Sequence, residues 1–433
     1  MSRWAQLYQD LRDAEGGALL AGAVCLAGPR GEARQGGVVV AADGRIASVG
    51  LPEAPADVRR IDLAGLTIAP AFVDAHQHLD KTGALKFAPN PSGTLQGARE
   101  AFSAFARHAT REDVARRASR TLVRCLQRGT TRLRSHVNVD KDAGFIGLDV
   151  MSALRDEWSD RLTLQLVAFM IPHPGQDYDW LAANIDAAAL KADALGGTVA
   201  VAEDPDRYLD TIFAAAAQRG KLIDLHMDEH LDGPRQRFDR VFDRVRRFGM
   251  QGRVVLSHAS VLSAVSDETF ARIRDQILEL DLGVITLPAA NLYIQGRGQE
   301  ILPPRGLTRV AALARAGARV AAASDNIQDP FIPTGSGDML EIARWTLLAG
   351  HLHAVELPVA YQMVTSAPAA LMGLAKDYGL CEGARADLII CDSPDVEALV
   401  GGGPDNMIVL SHGRPVALAS RFGADSMAAT SPG

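Results

Sequence analysis

The sequence predicts an α/β fold, a (β/α)8 barrel with a small β-sandwich domain formed from both chain ends, on three observations. Eight short apolar runs alternate with long stretches of helical period through the middle of the chain. The intervals between the runs are long enough for helical crossovers, so the strands can pair in parallel. The two ends carry only short β-rich runs, and 433 residues exceed what one core usually holds. An open doubly wound sheet would normally carry a glycine-rich phosphate turn after its first strand, and this chain has none.

In chain order, residues 3–14 place Trp4, Leu7, Tyr8 and Leu11 at helical spacing, which predicts a short amphipathic helix. Residues 18–26, 37–41 and 46–49 read as strands, the last two joined through the hairpin dipeptide Asp43-Gly44. Residues 386–392, 407–410 and 415–417 have the same character. Neither set can bury a core alone, so the two ends are expected to combine. The expected limits are 1–69 and 373–433 for the small domain and 70–372 for the barrel. The barrel runs are 71–74, 130–137, 162–169, 198–202, 222–226, 254–258, 283–287 and 320–324. Helical period fills the gaps, for example over 112–128, 209–219 and 307–316.

Composition narrows the class. The chain is 47% hydrophobic and 22% charged, the profile of a globular enzyme rather than a disordered chain. A net charge of -7 argues against nucleic acid or an anionic membrane as the main partner. Cys25, Cys125, Cys381 and Cys391 form no Cys-x-x-Cys pair, which suggests neither a disulfide framework nor a thiolate zinc site. The apolar stretch 18–28 follows Asp10, Asp13 and Glu15 rather than a basic leader and is too short to span a bilayer. A cytoplasmic location is expected.

The chemistry concentrates where strands should end. His76 and His78 follow the apolar run 68–73, and alternate side chains of an extended segment point the same way. Alone, such a pair is common. Three further runs end in suitable groups: the fifth in His226 with Glu229 close behind, the sixth in His258 and the eighth in Asp325. The string from His226 to His230 also matches the His-x-x-Glu-His pattern of inverted zinc peptidases. That motif needs a helix, whereas His226 ends a strand-like run, so His230 is expected outside the ligand set.

The motifs Ala69-Pro-Ala-Phe-Val-Asp-Ala-His76-Gln-His78-Leu-Asp-Lys81, His226-Met-Asp-Glu229, Leu256-Ser-His258 and Asp325-Asn-Ile-Gln-Asp-Pro330 resemble, in this order, those of the amidohydrolase superfamily. Leu287-Pro-Ala-Ala-Asn291-Leu-Tyr-Ile-Gln295 and Gly383-Ala-Arg-Ala-Asp387-Leu extend the likeness to its cytosine deaminase-like branch, over residues 35–420 or so. The resemblance implies that His76, His78, His226 and Asp325 bind one divalent metal ion, with Glu229 as proton shuttle. It also implies that His258 hydrogen-bonds the attacking oxygen or the tetrahedral centre and that Asp325 accepts the first proton. Some members bridge two metals with a lysine on the fourth strand; residues 198–202 contain none, so one ion is expected. Zinc and ferrous iron both suit three imidazoles and a carboxylate.

Departures from the branch concern the substrate. Cytosine-specific members carry a glutamine after the third strand, where this chain reads Phe169-Met170-Ile171-Pro172-His173-Pro174. They have Asp-Asp and then a tryptophan at the eighth strand, where this chain has Asp325-Asn326 and Phe331. Lys81 resembles a lysine of members that strip N-alkyl groups from triazines, and it suits an acidic or hydroxylated ring. Lys81, Gln295, Asn326, His136 and Phe331 are the expected substrate-binding residues. Arg132 and Arg134 are expected to form ion pairs inside the barrel, and His108, His351, His353 and His412 to be ordinary surface or packing residues.

The expected function is metal-dependent hydrolytic deamination of a small nitrogen heterocycle with release of ammonia. An N-dealkylating or cyclic-amide hydrolase of the same fold is the alternative, and a catalytically silent scaffold is the alternative from another class. The expected partner is a small-molecule substrate, with no nucleic acid and no membrane; homo-oligomerisation is expected by analogy only.

Overall fold

Eight strands lie side by side in chain order, each parallel to the next: β6 (Phe72–Gln77), β7 (Thr130–Val139), β8 (Thr163–Met170), β9 (Ala194–Thr198), β10 (Leu222–Met227), β11 (Val254–His258), β12 (Gly283–Thr286) and β13 (Arg319–Ala322). The ring closes through one bridge between Gln77 and Asp325. This is the (β/α)8 barrel. The structure is a computed structural model, and it describes residues 2–50, 58–172, 178–301 and 304–421.

Helices cover the outside because their sequences cap and pattern them to do so. Two precede the second barrel strand: α2 (Leu95–Ala106) and α3 (Arg111–Gln127), after the N-terminal α1 (Arg3–Arg12). In α3, Thr110 caps the first turn, Glu112 and Asp113 sit at the positive end of the dipole, and Val114, Ala118, Leu122, Cys125 and Leu126 face inward. Later crossovers are α4 (Ile146–Glu157), α5 (Tyr178–Lys191), α6 (Pro205–Arg219), α7 (Phe238–Arg247) and α8 (Asp267–Glu279). The layer between these helices and the strands is the main core.

The chain ends combine in a second, mixed sheet. Its strands are β1 (Gly17–Ala27), β2 (Glu32–Ala41), β3 (Ile46–Gly50), β4 (Arg59–Asp62), β5 (Thr67–Pro70), β14 (Leu388–Cys391), β15 (Asn406–Ser411) and β16 (Arg414–Ser420). The ends join where β14 pairs antiparallel with β5, Leu388 opposite Pro70. Leu7 and Leu11 of α1 bury against this sheet beside Ile61, Ile68, Leu388 and Ile390. Arg132, buried at the start of β7, reaches Asp387 of the second sheet at 3.1 Å. Within the barrel, Arg134 pairs with Asp224 at 2.9 Å as expected, whereas the pair of Arg132 joins the barrel to the residue that precedes β14.

Two local expectations fail. The fourth strand is not 198–202: it is Ala194–Thr198, and residues Val199–Val201 form a 3-10 turn. Gly196 and Gly197 make it a strand by leaving room; a Cβ on Gly196 would stand 2.1 Å from the Asp224 carbonyl oxygen. The strand that does form also lacks lysine. The helix expected over 307–316 is only Val310–Arg315, because the hydroxyl of Thr308 turns to the carbonyl of His258 and Arg309 reaches the Val265 carbonyl at 2.9 Å.

Candidate active site

Four side chains carried by separate strand ends meet inside the carboxyl mouth of the barrel. Ligand atoms of His76, His226, His258 and Asp325 all lie within 4.8 Å of one another, and all four residues are buried. His78 joins them. Its Nε2 is 3.2 Å from Nε2 of His226 and 3.2 Å from Oδ1 of Asp325. Nε2 of His76 is 3.5 Å from the same oxygen. Neighbouring ligands of a tetrahedral ion at about 2.0 to 2.1 Å stand roughly 3.3 Å apart, so these separations fit one small cation.

The hydrogen bonds orient the rings. Nδ1 of His78 faces the carbonyl oxygen of His136 at 3.0 Å; a carbonyl only accepts, so Nδ1 carries the proton and Nε2 presents its lone pair. Nδ1 of His76 bonds Ser257 Oγ at 3.0 Å, and Ser257 donates to Asp224 at 2.7 Å. His76 Nε2, His258 Nε2 and Asp325 Oδ1 are buried with no hydrogen-bond partner. Orphaned polar atoms are costly; a cation that takes the lone pairs of His76 and Asp325 explains two of the three, and the His258 nitrogen is left to face a group bound beside that cation.

Electrostatics prepare the same event. Burial, then neighbouring positive charge, pushes His76, His78 and His226 well below the ordinary imidazole value, which keeps them neutral as ligands must be. Burial pushes the Asp325 carboxyl up to about 7, opposed by His258 and reinforced by Glu229. A divalent ion would relieve that cost. His258 and Asp325 both hold left-handed backbone, with φ of 64° and 62°, a strained conformation for these residues that the surroundings must enforce.

One cavity opens on this cluster. Its walls include His78, Lys81, His226, Glu229, His258, Asp325, Asn326 and Phe331 from the expected set. Glu229 Oε1 lies 3.6 Å from His258 Nδ1. Lys81 is buried rather than solvated: it bonds Asn138 Oδ1 at 2.5 Å, pairs with Asp80 at 3.2 Å and stands 4.7 Å from the Phe102 ring. Asn326 donates to Asp329 at 2.7 Å.

Two expected residues lie elsewhere. Gln295 is not on the cavity wall; its amide donates to the Glu229 carbonyl at 3.4 Å. His136 lies behind the cluster, stacked on His76 at 3.8 Å between ring centroids and 3.5 Å from Asp224. His230 contacts Asp228 and the Asp232 amide, outside the cavity. His173 and Pro174 lie outside the described residues.

The cavity also contains residues the motifs do not indicate. Leu95, Arg99, Phe102 and Ser103, one face of α2, form part of its wall, with Phe169, Ile171, Asn138 and Thr198. The signal for α2 is in the sequence: Thr94 accepts from the Gly97 amide as N-cap, and Leu95, Ala98, Phe102 and Ala106 follow at helical spacing. Nothing in that pattern tells which polar residue faces the cavity.

A buried three-imidazole and carboxylate cluster for a single divalent cation, at the mouth of a parallel barrel, defines a metal-dependent hydrolase. Residues 88–400 match the family model described as "Amidohydrolase family". The chain belongs to the amidohydrolase family and is an enzyme for carbon-nitrogen bonds other than peptide bonds. It is 30% identical to a pterin deaminase of Rhizobium rhizogenes, over 90% of each chain. It is 26% identical to an N-isopropylammelide isopropyl amidohydrolase of a Pseudomonas species, covering 82% of this chain and 87% of that one. A solved 5-methylcytosine deaminase from Klebsiella pneumoniae, liganded with 5-fluorocytosine, superposes with a TM-score of 0.84 at 28% identity, over 95% of this chain and 99% of that chain. Among the described residues, no helix is long and apolar enough to cross a membrane.

Proposed function

We propose that this protein hydrolytically deaminates a small nitrogen heterocycle and releases ammonia, with His76, His78, His226 and Asp325 holding one zinc or ferrous ion. The observation that carries the reading is the convergence of buried imidazole nitrogens of His76, His78 and His226 on a carboxylate oxygen of Asp325, at the cavity that Glu229 lines. A bound divalent cation with an open position brings the pKa of water toward neutrality.

The chain's own groups supply the rest. Asp325 takes the first proton. Glu229, buried on the cavity wall, carries the other proton of the water to the ring nitrogen and relays the one taken by Asp325 to the departing amine. His258 donates to the tetrahedral centre. Phe102, Phe169 and Phe331 offer flat apolar walls to an aromatic ring, and Asn326, fixed by Asp329, reads an edge of it. The curated relatives and the solved structure that it resembles are named for reactions on pterin, isopropylammelide and 5-methylcytosine, all nitrogen rings.

Lys81 favours a second reading, removal of an N-alkylamine from a triazine, since it stands on the cavity wall and the isopropylammelide enzyme is among the relatives. The test is metal analysis of purified protein coupled to product analysis over pyrimidines, triazines, pterins and creatinine-like rings. Ammonia supports deamination, and an alkylamine supports the second reading. A ring-opened acid without either overturns both.

A further inference from the structure

Among the described residues, the cavity wall carries two cations, Lys81 and Arg99, and Arg99 has no hydrogen bond or ion pair to the protein. Lys81 is already neutralised by Asp80 and bonded to Asn138. Arg99 is half-buried on α2 and lines the same cavity, yet no hydrogen bond or ion pair among the described residues engages its guanidinium. Its neighbours along the helix are engaged or apolar: Arg107 forks onto Asp142, while Leu95 and Phe102 pack. Burial draws the Arg99 guanidinium below its ordinary value, and the field of Glu229 raises it. Among the described residues no ion pair joins Glu229 to Arg99, so Glu229 acts on it through its field rather than by contact.

A guanidinium stripped of part of its water and left unbonded is costly, and the missing partner must enter from outside. Five N–H donors in a planar fork match a carboxylate, which accepts two parallel hydrogen bonds. Ser103, one turn along on the same cavity-facing side, adds a hydroxyl donor. Phe102 and Leu95 flank Arg99 with apolar surface, where a charge-assisted bond is less screened.

We propose that Arg99 is the specificity-determining residue that selects a substrate by charge, binding a carboxylate carried on the heterocycle. The proposal rests on the ring-hydrolysis reading and names its substrate class: rings bearing a carboxylate are preferred to the same rings without it. Lys81 then serves the ring edge and Arg99 the substituent.

The test compares kcat/KM for two ring pairs, cytosine with 5-carboxycytosine and pterin with pterin-6-carboxylate. In the native protein the carboxylated member of at least one pair is expected to lead by more than tenfold. In Arg99→Met that ratio is expected to fall by tenfold to a hundredfold, with the loss in KM rather than kcat, and Arg99→Lys recovers part of it because the charge stays and the fork is lost. Arg99→Gln gives a second neutral variant should Arg99→Met fold poorly. Arg107→Met removes the same charge from the far end of the same helix and leaves the ratio in place. If no ring is turned over, the ring-hydrolysis reading falls by itself, and the same ratios are read as Kd by calorimetry. A native ratio at or below one, or a ratio unmoved by Arg99→Met, or an equal loss in Arg107→Met, overturns the assignment of Arg99.

Discussion

The amide of Asp325 donates to the carbonyl oxygen of His76 at 2.8 Å, and this bond both closes the barrel and ties together two members of the cation cluster. The bond belongs to the backbone, so it survives replacement of the side chain. Asp325 holds φ at 62°, which Asn adopts more readily than other residues. Asp325→Asn is therefore expected to keep the fold and its Tm within a few degrees while losing at least a hundredfold in divalent-ion affinity. Metal content after dialysis and thermal unfolding, measured on one preparation, check the two halves separately.

Metal uptake by chelator-treated protein should release one proton below neutrality. The imidazoles of His76, His78 and His226 sit well below their ordinary value and have no proton to lose at pH 6 to 7, on the order of their unperturbed range. Asp325, raised to about 7 by burial, does. The metal needs the carboxylate, so affinity falls as pH drops through about 7, by one decade per unit, and levels off above it. Calorimetry in buffers of different ionisation enthalpy reads the proton count; a release of two or more would contradict this assignment of charge.

Glu229→Gln should separate chemistry from metal binding. Glu229 lies on the cavity wall, and its nearest imidazole is His258 at 3.6 Å. General acid-base groups are worth about 10² to 10⁴ in rate, so kcat is expected to fall by that factor with metal content unchanged. Retained turnover would remove the proton-shuttle role.

Legibility in the sequence followed how local each signal is. The cluster of His76, His226, His258 and Asp325 was legible because its members follow four different apolar runs, and a barrel brings strand ends together whatever lies between them. Arg134 and Arg132 were legible as ion pairs for the same reason, since alternation in a buried strand leaves a charge nowhere to go but a partner. The fourth strand was not, because Gly196 and Gly197 are strand formers here only through the closeness of Asp224 and Tyr208, residues distant in sequence. Gln295, expected to contact substrate, bonds the backbone of Glu229, a partner set by loop geometry that no spacing in the sequence indicates. Arg99 needs the helix and the cavity together before its orientation has meaning.

Arg134 should matter to stability more than to metal binding. It and Asp224 are fully buried, 2.9 Å apart, and Asp224 also accepts from Ser257. Burial pushes Asp224 up, yet His136, Arg134 and Ser257 together hold its pKa below the ordinary value. Removing Arg134 strands that charge inside the barrel, at a cost of about 3 to 5 kcal/mol. Arg134→Met is expected to show that loss in denaturant unfolding, and the double variant Arg134→Met with Asp224→Asn to recover part of it.

Gly196→Ala should destabilise, against the usual sign for glycine within a strand. Elsewhere in a strand, Ala gains about 0.5 to 1 kcal/mol over Gly by restricting the unfolded chain. At residue 196 the added methyl would stand 2.1 Å from the carbonyl oxygen of Asp224 and 2.8 Å from Cγ1 of Val167. The oxygen is backbone and cannot rotate away, so β10 must move, at an overpacking cost of roughly 1 to 3 kcal/mol. β10 also carries His226 toward the cation cluster. Divalent-ion affinity should therefore drop together with stability, although Gly196 touches no ligand. A neutral or stabilised Gly196→Ala with full metal content would mean that β9 and β10 can separate without disturbing His226, and that the glycine pair does not set the barrel's spacing at this point.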